Sequence, residues 1–136
     1  MQPLIDGDLL DTTDETAVRR AGACLASLHG ALAIHKDYRA SNVLTADSEI
    51  LAVIDFDSVV RDYCVSDLAN SFVRLGTRFT NWQPTPASVR HTLLEGYQSV
   101  RSLTLLERQW LQALVLWQGI AAIPPGDDPA GWARAL

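Results

Sequence analysis

Lysine is almost missing from this chain. Of its eleven basic residues ten are Arg, and Lys36 is the single Lys. Any chemistry that needs a lysine ammonium uses Lys36 or one supplied by another chain. Cysteine is scarce as well. Cys24 and Cys64 are too few for a disulfide framework or a zinc site. Their apolar neighbours point to buried thiols in a reducing compartment. Basic charge is in deficit, with a formal net charge of -5, which argues against a nucleic-acid or anionic-membrane partner. The uncharged run from Gln109 to Ile123 is shorter than the ~20 residues of a membrane span. The first residues carry no basic cluster, so no signal peptide and a cytoplasmic location are expected.

What is present is a globular composition, 48% hydrophobic and 20% charged over 136 residues, and a length that fits one domain over 1–136. The opening stretch, Gln2 to Asp14, reads as acidic and irregular. Thr13 or Asp14 caps a helix starting near Glu15. Val18, Ala21, Cys24, Leu25, Leu28 and Leu32 recur at helical steps as one buried face, with Gly30 as a stop. Ile34 to Asn42 reads as a loop. Val43-Leu44 and Ile50 to Phe56, separated by Ala46-Asp47-Ser48, read as a small hairpin.

Downstream, Val59 to Ser66 reads as a loop, and Asp67 as the cap of a helix to about Leu75, ended by Gly76. A Pro-containing linker, Asn81 to Pro86, leads to a helix over Pro86–Val100. Thr104 with Glu107 is a capping box. It opens an apolar helix to about Ile123, which reads as a buried core helix. Pro124-Pro125-Gly126 ends it, and the tail from Asp127 reads as loosely held. The fold class is therefore α+β, mostly helical, with one small β-hairpin in the middle.

The polar residues of interest cluster around that hairpin. Ile34-His35-Lys36-Asp37-Tyr38-Arg39-Ala40-Ser41-Asn42 puts an acid, cations and an amide in one short loop. Thirteen residues after Asn42, the apolar run Val53-Ile54 delivers Asp55 and, beyond Phe56, Asp57. Mg²⁺ prefers oxygen ligands, usually one or two carboxylates completed by water and substrate phosphates. Asn42 and Asp55 suit that role, and Asp37 is left to orient or deprotonate a hydroxyl. His29 and His91 read as solvated or packed. Trp82, Trp110, Trp117 and Trp132 read as packing residues, because no basic stripe accompanies them.

His35-x-Asp37-x4-Asn42 followed by Ile54-Asp55-Phe56-Asp57 resembles the catalytic loop and metal motif of the aminoglycoside phosphotransferase and choline kinase-like family, which shares the protein-kinase fold. Asp67-Leu68-Ala69 is similar to that family's Asp-Leu-Ala. Ile5 to Leu10 and the helix ending Leu28-His29 are similar to the region after its interlobe hinge. The resemblance spans roughly residues 5–122. It implies that Asp37 is the catalytic Asp and that Asn42 and Asp55 are Mg²⁺ ligands. It implies that His35 braces the loop and that Asp67 anchors it through backbone hydrogen bonds. Arg39 falls where protein kinases often carry a phosphoryl-neutralising Lys. Asp57 falls where protein kinases have Gly and this family commonly has an acid. The implied reaction passes the γ-phosphoryl of ATP or GTP to a hydroxyl of a small molecule such as an aminoglycoside, choline or homoserine.

The departures bear on completeness. No Gly-x-Gly-x-x-Gly and no Val-Ala-Ile-Lys-like strand occurs, and Lys36 lies inside the catalytic loop in place of the family's usual Gly. The chain reads as a kinase-like C-terminal lobe alone. It would be inactive by itself, with a second chain supplying an N-lobe or with self-association through a bare apolar face near Pro3 to Leu10 and the hairpin. The rival reading is a non-catalytic fragment or binding module that keeps the fold. A Mg²⁺-dependent hydrolase is disfavoured because no nucleophile motif accompanies the three oxygens.

Overall fold

The computed structural model describes residues 5–31 and 34–136. Helix α1 (Glu15–Gly30) begins where Asp14 accepts a hydrogen bond from the Ala17 N–H and ends at Gly30. Its buried face holds Val18, Ala21 and Leu25; Cys24 is half-buried at its edge. Leu32, assigned to the same face by spacing, lies outside the described residues, as do Gln2 and Pro3.

The hairpin forms with β2 (Val43–Ala46) and β3 (Glu49–Val53). Asp47 and Ser48 join them, both at positive φ (48° and 63°), the two-residue geometry that matches strand twist. A third strand, β1 (Asp8–Leu9), pairs antiparallel with β2, giving the sheet order β1-β2-β3. The expected lone hairpin is thus a three-stranded sheet. Asp8 pairs with Thr45, a non-local match that no local period announces.

Helix α2 (Cys64–Arg74) starts three residues before Asp67, and Tyr63 occupies the cap position. Asp67 is not the cap, because its carboxylate is used elsewhere. Helix α3 (Ala87–Val100) follows Pro86 and packs along α1. The two backbones approach so closely that a Cβ on Gly96 would stand 1.8 Å from the Arg19 carbonyl oxygen, and one on Gly22 2.1 Å from that of Leu93.

Helix α4 (Leu105–Ala122) opens on the complete Thr104/Glu107 capping box and packs on α2. It is not the buried core helix that its composition suggests. Leu111 and Gly119 are buried, but Leu105, Leu106, Trp110, Leu116, Trp117 and Ile120 are exposed. The helix is apolar on two faces and only one of them meets α2. The tail is also better held than expected. Asp128 accepts from the Trp132 and Ala133 amides, and Trp132 is buried. Cys64, like Cys24, is a free, half-buried thiol and not a fully buried one. Burial raises the pKa of both. Among the described residues no helix is long and apolar enough to cross a membrane.

Candidate active site

The loop from His35 to Asn42 is shaped from beneath by α2. Asp67, fully buried, accepts hydrogen bonds from the His35 amide (2.8 Å) and from the Lys36 amide (2.9 Å), one on each carboxylate oxygen. The Asn70 side chain donates to the Lys36 carbonyl (3.0 Å). Lys36 is thereby held at φ 65°, in the left-handed region that costs a non-glycine residue roughly 1–2 kcal/mol. A glycine would meet this demand without strain, but Lys36 brings a side chain of its own. Its ammonium reaches back to Asp62 (2.6 Å) and to the Ser66 hydroxyl (2.9 Å), which adds a third fastening.

Asp67 has one more partner. His29 Nε2 donates to Oδ2 at 3.1 Å, and Tyr97 stands 2.7 Å from His29 Nδ1. With the proton on Nε2, Nδ1 is the acceptor and the tyrosine hydroxyl donates. Burial pushes the Tyr97 hydroxyl up to about 12, so it keeps that proton. His29 is therefore a packed histidine with both nitrogens engaged. The resemblance drew attention to Leu28-His29 as a helix end, but nothing in local sequence announced its link to Asp67, 38 residues away.

The front of the loop is tied to the sheet. His35 Nε2 donates to the Ile54 carbonyl (2.9 Å), and Phe56 packs edge-on against the ring at 4.8 Å. The Ile54 N–H donates to the Asn42 carbonyl (2.9 Å). The residue before Asp55 is thus fastened to both ends of the loop, which puts Asp55 beside it. Asp55 has φ 62° and ψ 62° and is exposed, as is Asp57. The Asn42 amide donates to both the Asp37 carbonyl and its Oδ2, each at 2.9 Å. Both amide hydrogens face Asp37, so the amide oxygen is the end left for a cation or a donor.

Arg39 completes the cluster. Its guanidinium lies 3.1 Å from Asp37 Oδ2 and 5.7 Å from the centre of the Trp82 ring. Trp82 comes from the linker after α2, so that linker reaches the site, a contact sequence reading missed. Arg39 Nε and the Ser41 hydroxyl are buried without a hydrogen-bond partner among the described residues. The structure thus draws Asp37, Arg39 and Asn42 into contact and ties His35 and the backbone just before Asp55 to the same loop over Asp67. A cleft of about 420 Å³ lies elsewhere, between Phe72, Leu94, Leu111 and Trp132. The loop cluster sits on an open face, not in that cleft.

The pattern of the phosphotransferase enzyme family matches residues 1–114. The chain belongs to this family. No curated protein and no solved structure matches it significantly. For this phosphotransferase-family chain, phosphoryl transfer is the general chemistry that membership indicates. The match covers α1, the sheet, the loop, α2, α3 and the first half of α4.

Among the described residues no three His, Cys, Asp or Glu side chains form a metal cluster. The donor set at hand is one amide oxygen and one carboxylate, both hard oxygen ligands. That set fits a Mg²⁺ completed by water and phosphate oxygens, and does not fit a softer metal held by protein alone.

Proposed function

We propose that this chain is the acceptor-side, C-terminal lobe of a small-molecule phosphotransferase that passes the γ-phosphoryl of ATP or GTP to a hydroxyl. The observation that carries this reading is the fastening of Asp37 by Asn42 and Arg39 on a loop whose backbone Asp67 holds. Phosphoryl transfer asks little covalent work of a protein and much positioning. Asp37 accepts the hydroxyl's hydrogen bond, aims its oxygen at phosphorus and takes the proton as the bond forms. Asn42 keeps the carboxylate turned. Arg39 faces the charge that develops on the transferring group, with Trp82 limiting its motion. Asn42 and Asp55 would hold Mg²⁺, which when bound neutralises phosphate charge.

The exposed Ile5, Leu51, Ile54 and Phe56 form the apolar rim on which a nucleotide lobe would sit, as a second chain or an added domain. The net charge of -5 suits a cationic acceptor. The rival reading is a binding module that keeps the fold.

Two measurements separate the readings. The isolated chain should bind Mg²⁺–ATP weakly or not at all by calorimetry. Joined to a donor N-lobe, or expressed with an upstream partner, it should transfer phosphate in a single turnover. There Asp37→Asn should lower kcat by ~10²–10⁴-fold with little change in KM. Transfer at the parent rate by Asp37→Asn removes the assignment, and no transfer by any assembled form favours the binding module.

A further inference from the structure

The outer face of α4 carries Leu106, Trp110, Ala113, Trp117 and Ile120, all exposed, the four larger side chains at 63%, 56%, 64% and 53%. Their spacing is four, three, four, three, the heptad seam of a helix pair. At 100° per residue they fall within an arc of about 80°. The side chains flanking the seam are Gln109, Leu116 and Ala121, and no charged residue occurs from Gln109 to Ala122.

The order is also a palindrome. Read from either end, the seam runs aliphatic, Trp, Ala, Trp, aliphatic about Ala113. A twofold interface requires that if residue i meets residue j, then j meets i. Antiparallel pairing of two copies of α4 meets that requirement. With the axis at Ala113, Leu106 lies level with Ile120, and Trp110, three residues from the axis, lies one residue out of level with Trp117, four from it, which neighbouring indole rings span. The small central side chain lets the helices close to the 8–10 Å of packed pairs. Opposed helix dipoles favour the same direction. A different partner would have no need of this symmetry; Lys36 and Arg74 border the seam at its Trp117–Ala121 end.

We infer that α4 is the dimer interface of this chain, with a second copy as its occupant. The seam and its apolar flank offer roughly 600–700 Å² per copy, and twice that lies within the range of stable interfaces. Because the seam carries no charge, self-association holds or strengthens as salt screens the repulsion of two acidic chains.

Sedimentation of the full chain from 1 to 100 µM tests this. A monomer–dimer equilibrium is expected, with tryptophan emission shifting to the blue as the dimer fills. Trp110→Glu should weaken the dimer at least ~30-fold while far-ultraviolet circular dichroism stays that of the parent. Ala113→Cys supplies a readout independent of that variant. It should cross-link to itself under mild oxidation, above the background set by the half-buried Cys24 and Cys64, whereas Leu106→Cys should not. A monomer at 100 µM overturns the inference, as does a dimer indifferent to Trp110→Glu, or cross-linking through Leu106→Cys in place of Ala113→Cys. Binding of a monomer to phosphatidylcholine vesicles would give the face to a lipid surface and overturn it equally.

Discussion

Replacing Asp67 is the sharpest single perturbation of this fold. The carboxylate is wholly buried and accepts from the His35 amide, the Lys36 amide and His29 Nε2. A hydrogen bond to a charged group contributes about 1.5–3 kcal/mol, and stranding buried donors adds their desolvation cost. Asp67→Ala strands two backbone donors and an imidazole together, which puts the loss at about 3–5 kcal/mol. A domain of this size has roughly 5–15 kcal/mol in total. With a urea slope near 2 kcal/mol/M, the midpoint should fall by about 1.5–2.5 M. Asp67→Asn should cost roughly half as much. Its carbonyl oxygen can serve His29 and His35, but its NH₂ then meets the Lys36 N–H, donor against donor. The assay is urea unfolding followed by circular dichroism, with amide exchange of His35 and Lys36 read by NMR. A loss under about 1 kcal/mol for Asp67→Ala, with both amides still protected, would refute the claim that this carboxylate holds the loop.

Two further outcomes follow from the packing and the charges. Gly96→Ala drives a methyl into the Arg19 carbonyl at 1.8 Å, so α1 and α3 must part; a loss of about 1–3 kcal/mol or more is expected in a thermal melt, and an unchanged melting temperature would contradict the close approach. The hydrogen bond from Lys36 holds the Asp62 carboxyl below its ordinary range. In the unfolded chain Asp62 binds its proton more readily, so this contribution is full above about pH 4 and is lost as pH falls through the lower folded value. Lys36→Met should flatten the stability profile between about pH 4 and 3 relative to the parent chain, measured by urea midpoints across that range.

Sequence made some of this plain and hid the rest for physical reasons. Asp14 and the Thr104/Glu107 pair were legible as caps because capping is a matter of three or four residues. The hairpin was legible because its turn and its alternation are local. Strand β1 was not, since Asp8 finds Thr45 only after the chain has folded back. Local pattern made Asp67 look like a helix cap, because an acid before an apolar run usually is one; the family resemblance, not the local pattern, pointed to the loop backbone 31 and 32 residues away, and nothing pointed to His29, 38 away. The exposure of α4 could not be read either. A helix apolar all round shows that both faces need cover without showing which one the same chain supplies. For the site, residue spacing and family resemblance brought out Asp37, Asn42 and Asp55. Trp82 over Arg39 needed the structure, because the linker carrying it has no period.

The left-handed Lys36 has a consequence for the order of events in folding. On its own, the loop has little reason to hold a residue at φ 65°. The reward comes only when Asp67 and Asn70 arrive with α2, across a long stretch of chain whose closure has an entropic cost. The loop from His35 to Asn42 is then expected to stay loose until α2 has docked against it. Loosening the loop's ties should therefore hasten unfolding and leave the refolding rate nearly as it was. The residues that would align a phosphoryl acceptor take their places only once α2 has docked beneath them.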